Sequence, residues 1–386
     1  MEKKIFDLEE KGNKPVIAIC YDFDKTLSPD DMQAQGYIQS VGYDINEFWT
    51  ESNSLAQNND MDQNLAYMYK MVEKSRGKFY VTKESLADYG SKVKLFDGVE
   101  EWFERIRQYG LSKGIIIEHY IISSGLKEMI EGTKMAKANA FKRIYASSYY
   151  YDSDNVAIWP AQAVNYTNKT QFLFRIEKGT LDVNDDRVNN FFPPEKIRIP
   201  FRNIIYIGDS ATDIPCMKLV NSFGGYSIGV YNPHSNDKTK VYAMMNEDRI
   251  KYFVPANYSS GSELDGLVKR IIDKTATNEI LENKYYSNKI EAEEHRSNQA
   301  EGIKNNLINS LINSRSFAST HTIISKMSEV DDWNNMQLEQ IYFASATNGQ
   351  VYSIINDSDI SLFLKTLMRK YKLRNKDTDR ITELLN

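Results

Sequence analysis

Cysteine is nearly absent from this chain of 386 residues: Cys20 and Cys216 are the two that occur. Two thiols cannot build a disulfide framework, and both fall inside or beside apolar runs, which predicts reduced, buried side chains. Histidine is as sparse. His119, His234, His295 and His321 are scattered without zinc-ligand spacing, so no zinc site is expected. No apolar stretch approaches the roughly eighteen residues of a membrane-spanning helix, and no membrane association is expected. An excess of one charge is also missing. The 48 Lys and Arg against 53 Asp and Glu leave a formal net charge of -5, which argues against a protein that coats nucleic acid. Met1-Glu2-Lys3-Lys4 and the mixed charge after it lack the apolar core of a signal peptide, and a cytoplasmic location is expected. No internal repeat is visible. The length exceeds a single typical core and predicts two or three units.

Against these absences stands the run Val16-Ile17-Ala18-Ile19-Cys20-Tyr21-Asp22-Phe23-Asp24-Lys25-Thr26-Leu27. Its apolar half reads as a buried parallel strand. The strand leads into two aspartates one residue apart, and residues i and i+2 of an extended chain point to the same side. Paired carboxylates at a strand end repel unless a cation or a shared proton holds them. Ile121-Ile122-Ser123-Ser124-Gly125 closes a second apolar strand with hydroxyls and a glycine. Asn168-Lys169-Thr170 opens a helix-like stretch. Ile204-Ile205-Tyr206-Ile207-Gly208-Asp209-Ser210-Ala211-Thr212-Asp213 is a third strand, ending in two carboxylates four residues apart that can share one face of a turn.

In this order, Asp-x-Asp, Ser, Lys and Gly-Asp-x-x-x-Asp, the chain over about residues 14 to 275 resembles the haloacid dehalogenase-like (HAD) superfamily, and within it the phosphoserine phosphatase-like branch. The resemblance implies an α/β fold: a doubly wound, Rossmann-like parallel sheet with an inserted helical cap, here followed by a mainly helical C-terminal extension. It implies a Mg2+-dependent phosphomonoester hydrolase acting through an aspartyl phosphate. Asp22 is then the nucleophile and Asp24 the general acid and base. Ser123, with Ser124 a credible neighbour and Gly125 beside it, binds the phosphoryl group. Lys169 neutralises that group, with Lys178 of Glu177-Lys178-Gly179 as its rival. The metal falls to Asp22, the backbone carbonyl of Asp24, Asp209 and Asp213. One departure stands out: Thr212 occupies the place before the last aspartate where that branch often has Asn, which bears on substrate more than on reaction.

The catalytic core is expected at 14–29 and 95–275, with a helical cap at 30–94 in which Leu65, Met68, Tyr69 and Val72 form an apolar stripe and Thr82 caps a further helix. Such caps close over a site and select substrates. Residues 141–167 read as a hairpin around an Asx-rich turn carrying Tyr145, Tyr149, Tyr150 and Tyr151, and 180–195 as a polar surface insertion. Residues 276–315 read as an exposed connecting helix, and 316–386 as a mainly helical module. In that module Leu338, Ile341 and Tyr342 share a helix, Gln350–Ile355 reads as a strand or extended segment, and Asp357 or Ser358 caps a helix carrying Ile360, Phe363, Leu364 and Leu367. The module is either a partner-binding or regulatory element or an arm packed on the core. The cationic run from Lys365 to Lys376 reads as a solvated helix end, so nucleic acid is not an expected partner. The expected substrate is a small phosphorylated metabolite. Transfer of the phosphoryl group to another acceptor, and a sensor that binds a phosphorylated ligand while the tail engages a protein, remain the alternatives.

Overall fold

The computed structural model describes residues 8, 9, 12 and 14–385; the N-terminal residues read above for a leader lie outside them. The chain divides into two compact units, one through Ile280 and one from Leu281.

In the first unit β1 (Val16–Tyr21) is followed by a helical insertion of α1 (Tyr37–Ser40), α2 (Ile45–Asn58), α3 (Gln63–Ser75) and α4 (Lys83–Ser91). The chain returns through α5 (Val99–Ser112), β2 (Ile116–Leu126), α6 (Lys127–Gly132), α7 (Lys134–Lys137), β3 (Arg143–Tyr151) and β4 (Ala157–Gln162). It continues as α8 (Lys169–Lys178), β5 (Ile204–Gly208), α9 (Ile214–Ser222), β6 (Tyr226–Tyr231), α10 (Thr239–Asn246) and β7 (Tyr252–Pro255). The seven strands form one sheet in the order β4-β3-β2-β1-β5-β6-β7. Every pairing is parallel except the β3–β4 hairpin, so the doubly wound fold expected from the sequence is the fold observed.

Alternation along β1 explains its continuous apolar run. Ile17, Ile19 and Tyr21 enter the core on one face of the sheet, and Val16, Ala18 and Cys20 the core on the other. Both cysteines are free and buried. Asp44 caps α2 by accepting from the N–H groups of Asn46 and Glu47, Asp62 caps α3 from Asn64 and Leu65, and Thr82 and Ser85 form a reciprocal box on α4. The apolar stripe expected on α3 is rotated. Met68 is buried with Tyr67 and Met71, while Tyr69 is 44% exposed. The buried tyrosine of that helix is Tyr67, whose Oη donates to the Ser124 carbonyl at 2.7 Å.

Helix α11 (Glu263–Ile312) starts inside the core, where Leu264, Val268, Ile271 and Ile272 are buried, so the helix begins earlier than the connecting segment read at 276. The second unit holds the end of α11 with α12 (Phe317–Ser328), α13 (Asn335–Thr347), α14 (Gly349–Ser353), α15 (Ser358–Tyr371) and α16 (Lys376–Leu385). Leu311, Ile324, Leu338, Ile341, Leu364 and Ile381 belong to its separate core. The strand expected over Gln350–Ile355 is a correction: the segment is helical through Ser353 and a turn after it. Asn348 Oδ1 accepts from the N–H groups of Gln350 and Val351, which starts the helix, and Val351 with Ile354 and Ile355 of the following turn is buried. Among the described residues no helix is long and apolar enough to cross a membrane.

Candidate active site

The acidic residues meet because two neighbouring parallel strands end at the same edge. Tyr21 pairs with Ile207 in register, and the N–H of Asp22 donates to the Ile207 carbonyl at 3.0 Å, one rung beyond β1. Asp209 follows the last residue of β5. After Asp22 the chain folds back tightly: the Phe23 carbonyl accepts from the N–H groups of Thr26, Leu27 and Ser28, with Lys25 in the left-handed region at φ 59°. This loop fixes Asp24, whose Oδ1 accepts from the Met32 N–H at 2.8 Å. Gly125 leans on the same carboxylate; a Cβ there would lie 2.8 Å from Asp24 Oδ2.

Lys169 opens α8 and is fully buried. Its Nζ lies 2.8 Å from Asp213 Oδ1 and 3.2 Å from Asp22 Oδ1. The Asp22 contact is an ion pair without hydrogen-bond alignment, and Asp22 Oδ1 has no hydrogen-bond partner. Burial works against the ammonium charge, but Asp213 and Asp22 outweigh it and raise the pKa, so Lys169 is held protonated. The turn before α8 is fixed by Asn165, whose Oδ1 accepts from the N–H groups of Thr167 and Asn168. Lys178 is elsewhere, donating to the carbonyls of Val188 and Asn190.

Carboxylate oxygens of Asp22, Asp209 and Asp213 all lie within 4.8 Å of one another. Burial, then Asp213 and Asp22, push the Asp209 carboxyl up to about 8. Burial raises Asp22 to about 6, with Lys169 opposing and Asp213 adding to it. Asp24 is also raised, by burial first and then by Asp31 and Asp22. Three buried carboxylates against one ammonium form a hard-oxygen donor set short of positive charge, and an Oδ1 without a hydrogen bond is part of it, so the residues fit a divalent cation. The Asp24 carboxylate is not among the three. Asp213 is already engaged: besides Lys169, Tyr206 Oη donates to its Oδ1 at 2.9 Å and the Ser210 N–H to its Oδ2 at 3.3 Å.

Ser123, Ser124 and Gly125 line the same cavity, about 600 Å³ in volume, together with Asp22, Asp24 and Asp209. Ser123 Oγ accepts from the Gly125 N–H at 3.1 Å, leaving its own proton free to donate. The helical insertion closes one wall. Besides the Tyr67 bond, Asn64 Nδ2 donates to the Val164 carbonyl at 2.8 Å and Asn165 Nδ2 to Asp62 Oδ2 at 2.7 Å. Tyr206, Tyr67, Asn165 and Asp62 were not singled out from the sequence. Tyr206 carried a usable signal, since a phenol inside an apolar strand needs a partner.

His119 belongs to the scaffold. Trp102 Nε1 donates to Tyr21 Oη at 2.7 Å, Tyr21 Oη lies 2.9 Å from His119 Nδ1, and His119 Nε2 lies 3.1 Å from the Phe103 carbonyl. This chain is satisfied by an imidazole protonated on Nε2 alone, and burial first, then Arg107, lower its pKa to about 3.

A model of the haloacid dehalogenase-like hydrolase family matches residues 19–218. An uncharacterized protein of Borreliella burgdorferi is 30% identical over 283 residues, 67% of this chain and 96% of the relative. Among solved structures, a substrate-bound phosphoserine phosphatase is 13% identical, with 67% of this chain and 99% of that one covered and a TM-score of 0.43. A probable phosphoserine phosphatase from Vibrio cholerae is 14% identical (69% and 67% covered, TM-score 0.45), and cytosolic 5'-nucleotidase IIIB bound to cytidine is 17% identical (69% and 87% covered, TM-score 0.41).

Proposed function

Since this chain belongs to the haloacid dehalogenase-like hydrolase family, we propose that it is a Mg2+-dependent phosphatase that hydrolyses a phosphomonoester through Asp22. The observation that carries the reading is Lys169, fully buried and paired with both Asp22 and Asp213 at the edge where β1 and β5 end. A buried ammonium that holds Asp22 Oδ1, on an aspartate that lines the cavity, suits a phosphoryl group reaching this carboxylate from the cavity side.

In the proposed reaction an Asp22 oxygen attacks phosphorus and the bond from phosphorus to the alcohol oxygen breaks. Asp24, whose pKa is raised by burial, donates its proton to the departing oxygen. The Asp24 carboxylate then takes a proton from water, the water oxygen attacks phosphorus, and phosphate leaves with Asp22 restored. Lys169 and Ser123 hold the equatorial oxygens throughout. Asp22, Asp209 and Asp213, with the Asp24 backbone carbonyl, would hold the Mg2+, which would supply charge neutralisation when bound. A small phosphorylated metabolite as substrate and a cytoplasmic location belong to the same proposal.

Phosphate release from a broad phosphomonoester panel, with Mg2+ and with EDTA, tests it in the wild type and in Asp22→Asn. Metal-dependent release that Asp22→Asn abolishes is the expected result. Substantial metal-dependent release by the variant would sink the nucleophile assignment.

A further inference from the structure

Asp213 is fully buried and held from several sides. Lys169 Nζ donates to its Oδ1 at 2.8 Å, and Tyr206 Oη donates to the same oxygen at 2.9 Å. A carboxylate oxygen offers two lone pairs, so these two donors fill Oδ1. On the other side the Ser210 N–H donates to Oδ2 at 3.3 Å, and Gly208 packs against that oxygen: a Cβ there would lie 2.5 Å from it. The carboxylate is therefore fixed in rotation as well as in place. Asp22 Oδ1, 3.2 Å from the same ammonium, makes no hydrogen bond. Lys169 is thus set between the two aspartates from the Asp213 side.

Tyr206 reaches Asp213 from the sheet. It is the third residue of β5, in register with Cys20 of β1 and Ser227 of β6. Alternation sends its ring with Ile204 into the core packed under α8 and α9, the face that also takes Cys20, Phe172 and Cys216. A phenol in that apolar layer is costly without a partner, and Asp213, on the turn before α9, supplies one. Tyr206 is fully buried and lies outside the cavity lining, so its hydroxyl does not meet substrate.

Resting on the phosphatase reading, we infer that Tyr206 is a positioning residue: its hydroxyl locks the Asp213 carboxylate in the orientation that holds Lys169 beside Asp22. It acts on phosphoryl transfer through two other side chains. The test is a double-mutant cycle of Tyr206→Phe, which removes one oxygen, with Lys169→Met. Steady-state kinetics are read on whichever phosphomonoester the wild type turns over best. Tyr145→Phe is the structural control. Tyr145 is a buried phenol of the same core, and its Oη donates to the Leu181 carbonyl at 2.9 Å, away from the acidic residues. Tyr206→Met, which fills the space without the hydroxyl, replaces Tyr206→Phe should that protein fail to fold.

Tyr206→Phe should lower kcat by about 10- to 100-fold, the scale of losing an outer bond to an active-site carboxylate, and change KM by less than about threefold. Both tyrosine variants lose a buried hydrogen bond and should unfold at lower urea, but Tyr145→Phe should keep kcat within about twofold. In the Lys169→Met background Tyr206→Phe should cost less than about threefold more, because the group it acts through is gone. A Tyr206→Phe enzyme within about twofold of wild type, an equal loss in Tyr145→Phe, or a further loss of about tenfold on Lys169→Met would overturn the assignment. Should the wild type release phosphate from no ester, the hydrolase reading fails by itself, and metal-free crystal structures decide the positioning. Lys169 Nζ displaced by more than about 0.5 Å in Tyr206→Phe and unmoved in Tyr145→Phe supports it, and an unmoved Nζ in both removes it.

Discussion

Replacing Lys169 by Met removes the cation that lies 3.2 Å from Asp22 and 2.8 Å from Asp213, and leaves a side chain of similar length. At an effective dielectric near 20, each charge pair at about 3 Å gains roughly 5 kcal/mol, most of it cancelled by desolvation of the buried ammonium. The variant keeps the carboxylates buried without that compensation, and breaking a buried pair from one side costs about 3–5 kcal/mol. Urea unfolding in EDTA should therefore show a stability loss of that size. Mg2+ should stabilise the variant more than the wild type, because a bound cation replaces part of the lost charge. Turnover should fall by about 10² to 10³, the scale of losing one preorganised charge at a developing transition state. Lys178→Met is the matched control: its Nζ donates to the carbonyls of Val188 and Asn190 and lies over the Phe192 ring, away from the acidic residues of the site. It should change stability by less than about 1 kcal/mol and turnover by less than about twofold. A Lys169→Met protein within about 1 kcal/mol of wild type in EDTA, or one keeping more than a tenth of the turnover, would refute the electrostatic argument.

Three further outcomes follow from the geometry. His119 is neutral when folded, with its pKa lowered to about 3, so below pH 6.5 the unfolded chain binds a proton that the folded chain does not. Stability should fall with decreasing pH between about 6.5 and about 3, by at most about 1.4 kcal/mol per unit from this group, and His119→Gln should remove that part of the slope in urea unfolding. Gly125→Ala forces a methyl group to 2.8 Å from Asp24 Oδ2 and should lower kcat more than it raises KM, which steady-state kinetics reads directly. Asp62→Ala and Asn165→Ala each break the bond that joins the cap of α3 to the turn before Lys169. In a double-mutant cycle on kcat/KM they should couple by about 1–3 kcal/mol, and additive losses would deny the link.

Much of the site was legible because each acidic group follows an uninterrupted apolar strand. Asp22 and Asp209 stand next to short apolar runs that read as buried parallel strands, and parallel neighbours deliver their ends to one edge. Lys169 was legible as a helix start, but its choice over Lys178 rests on tertiary packing, which brings one lysine between two aspartates and leaves the other on loop carbonyls. The neutral groups of the insertion and of the turn before α8 left no trace: Tyr67 and Asn165 carry no spacing or charge pattern that marks them as cavity residues. The face of α3 and the helical turn at Gly349–Ser353 were misread for one physical reason: short apolar runs fit more than one periodicity or face, and for the second a capping Asn348 decides between them.

The most direct measurement is acid-quenched peptide mapping by mass spectrometry during turnover of a phosphomonoester in Mg2+. A phosphoryl group on the peptide containing Asp22, absent when Asp22→Asn is used, is the predicted result. Phosphate release that proceeds with no covalent adduct and persists in Asp22→Asn would contradict the account.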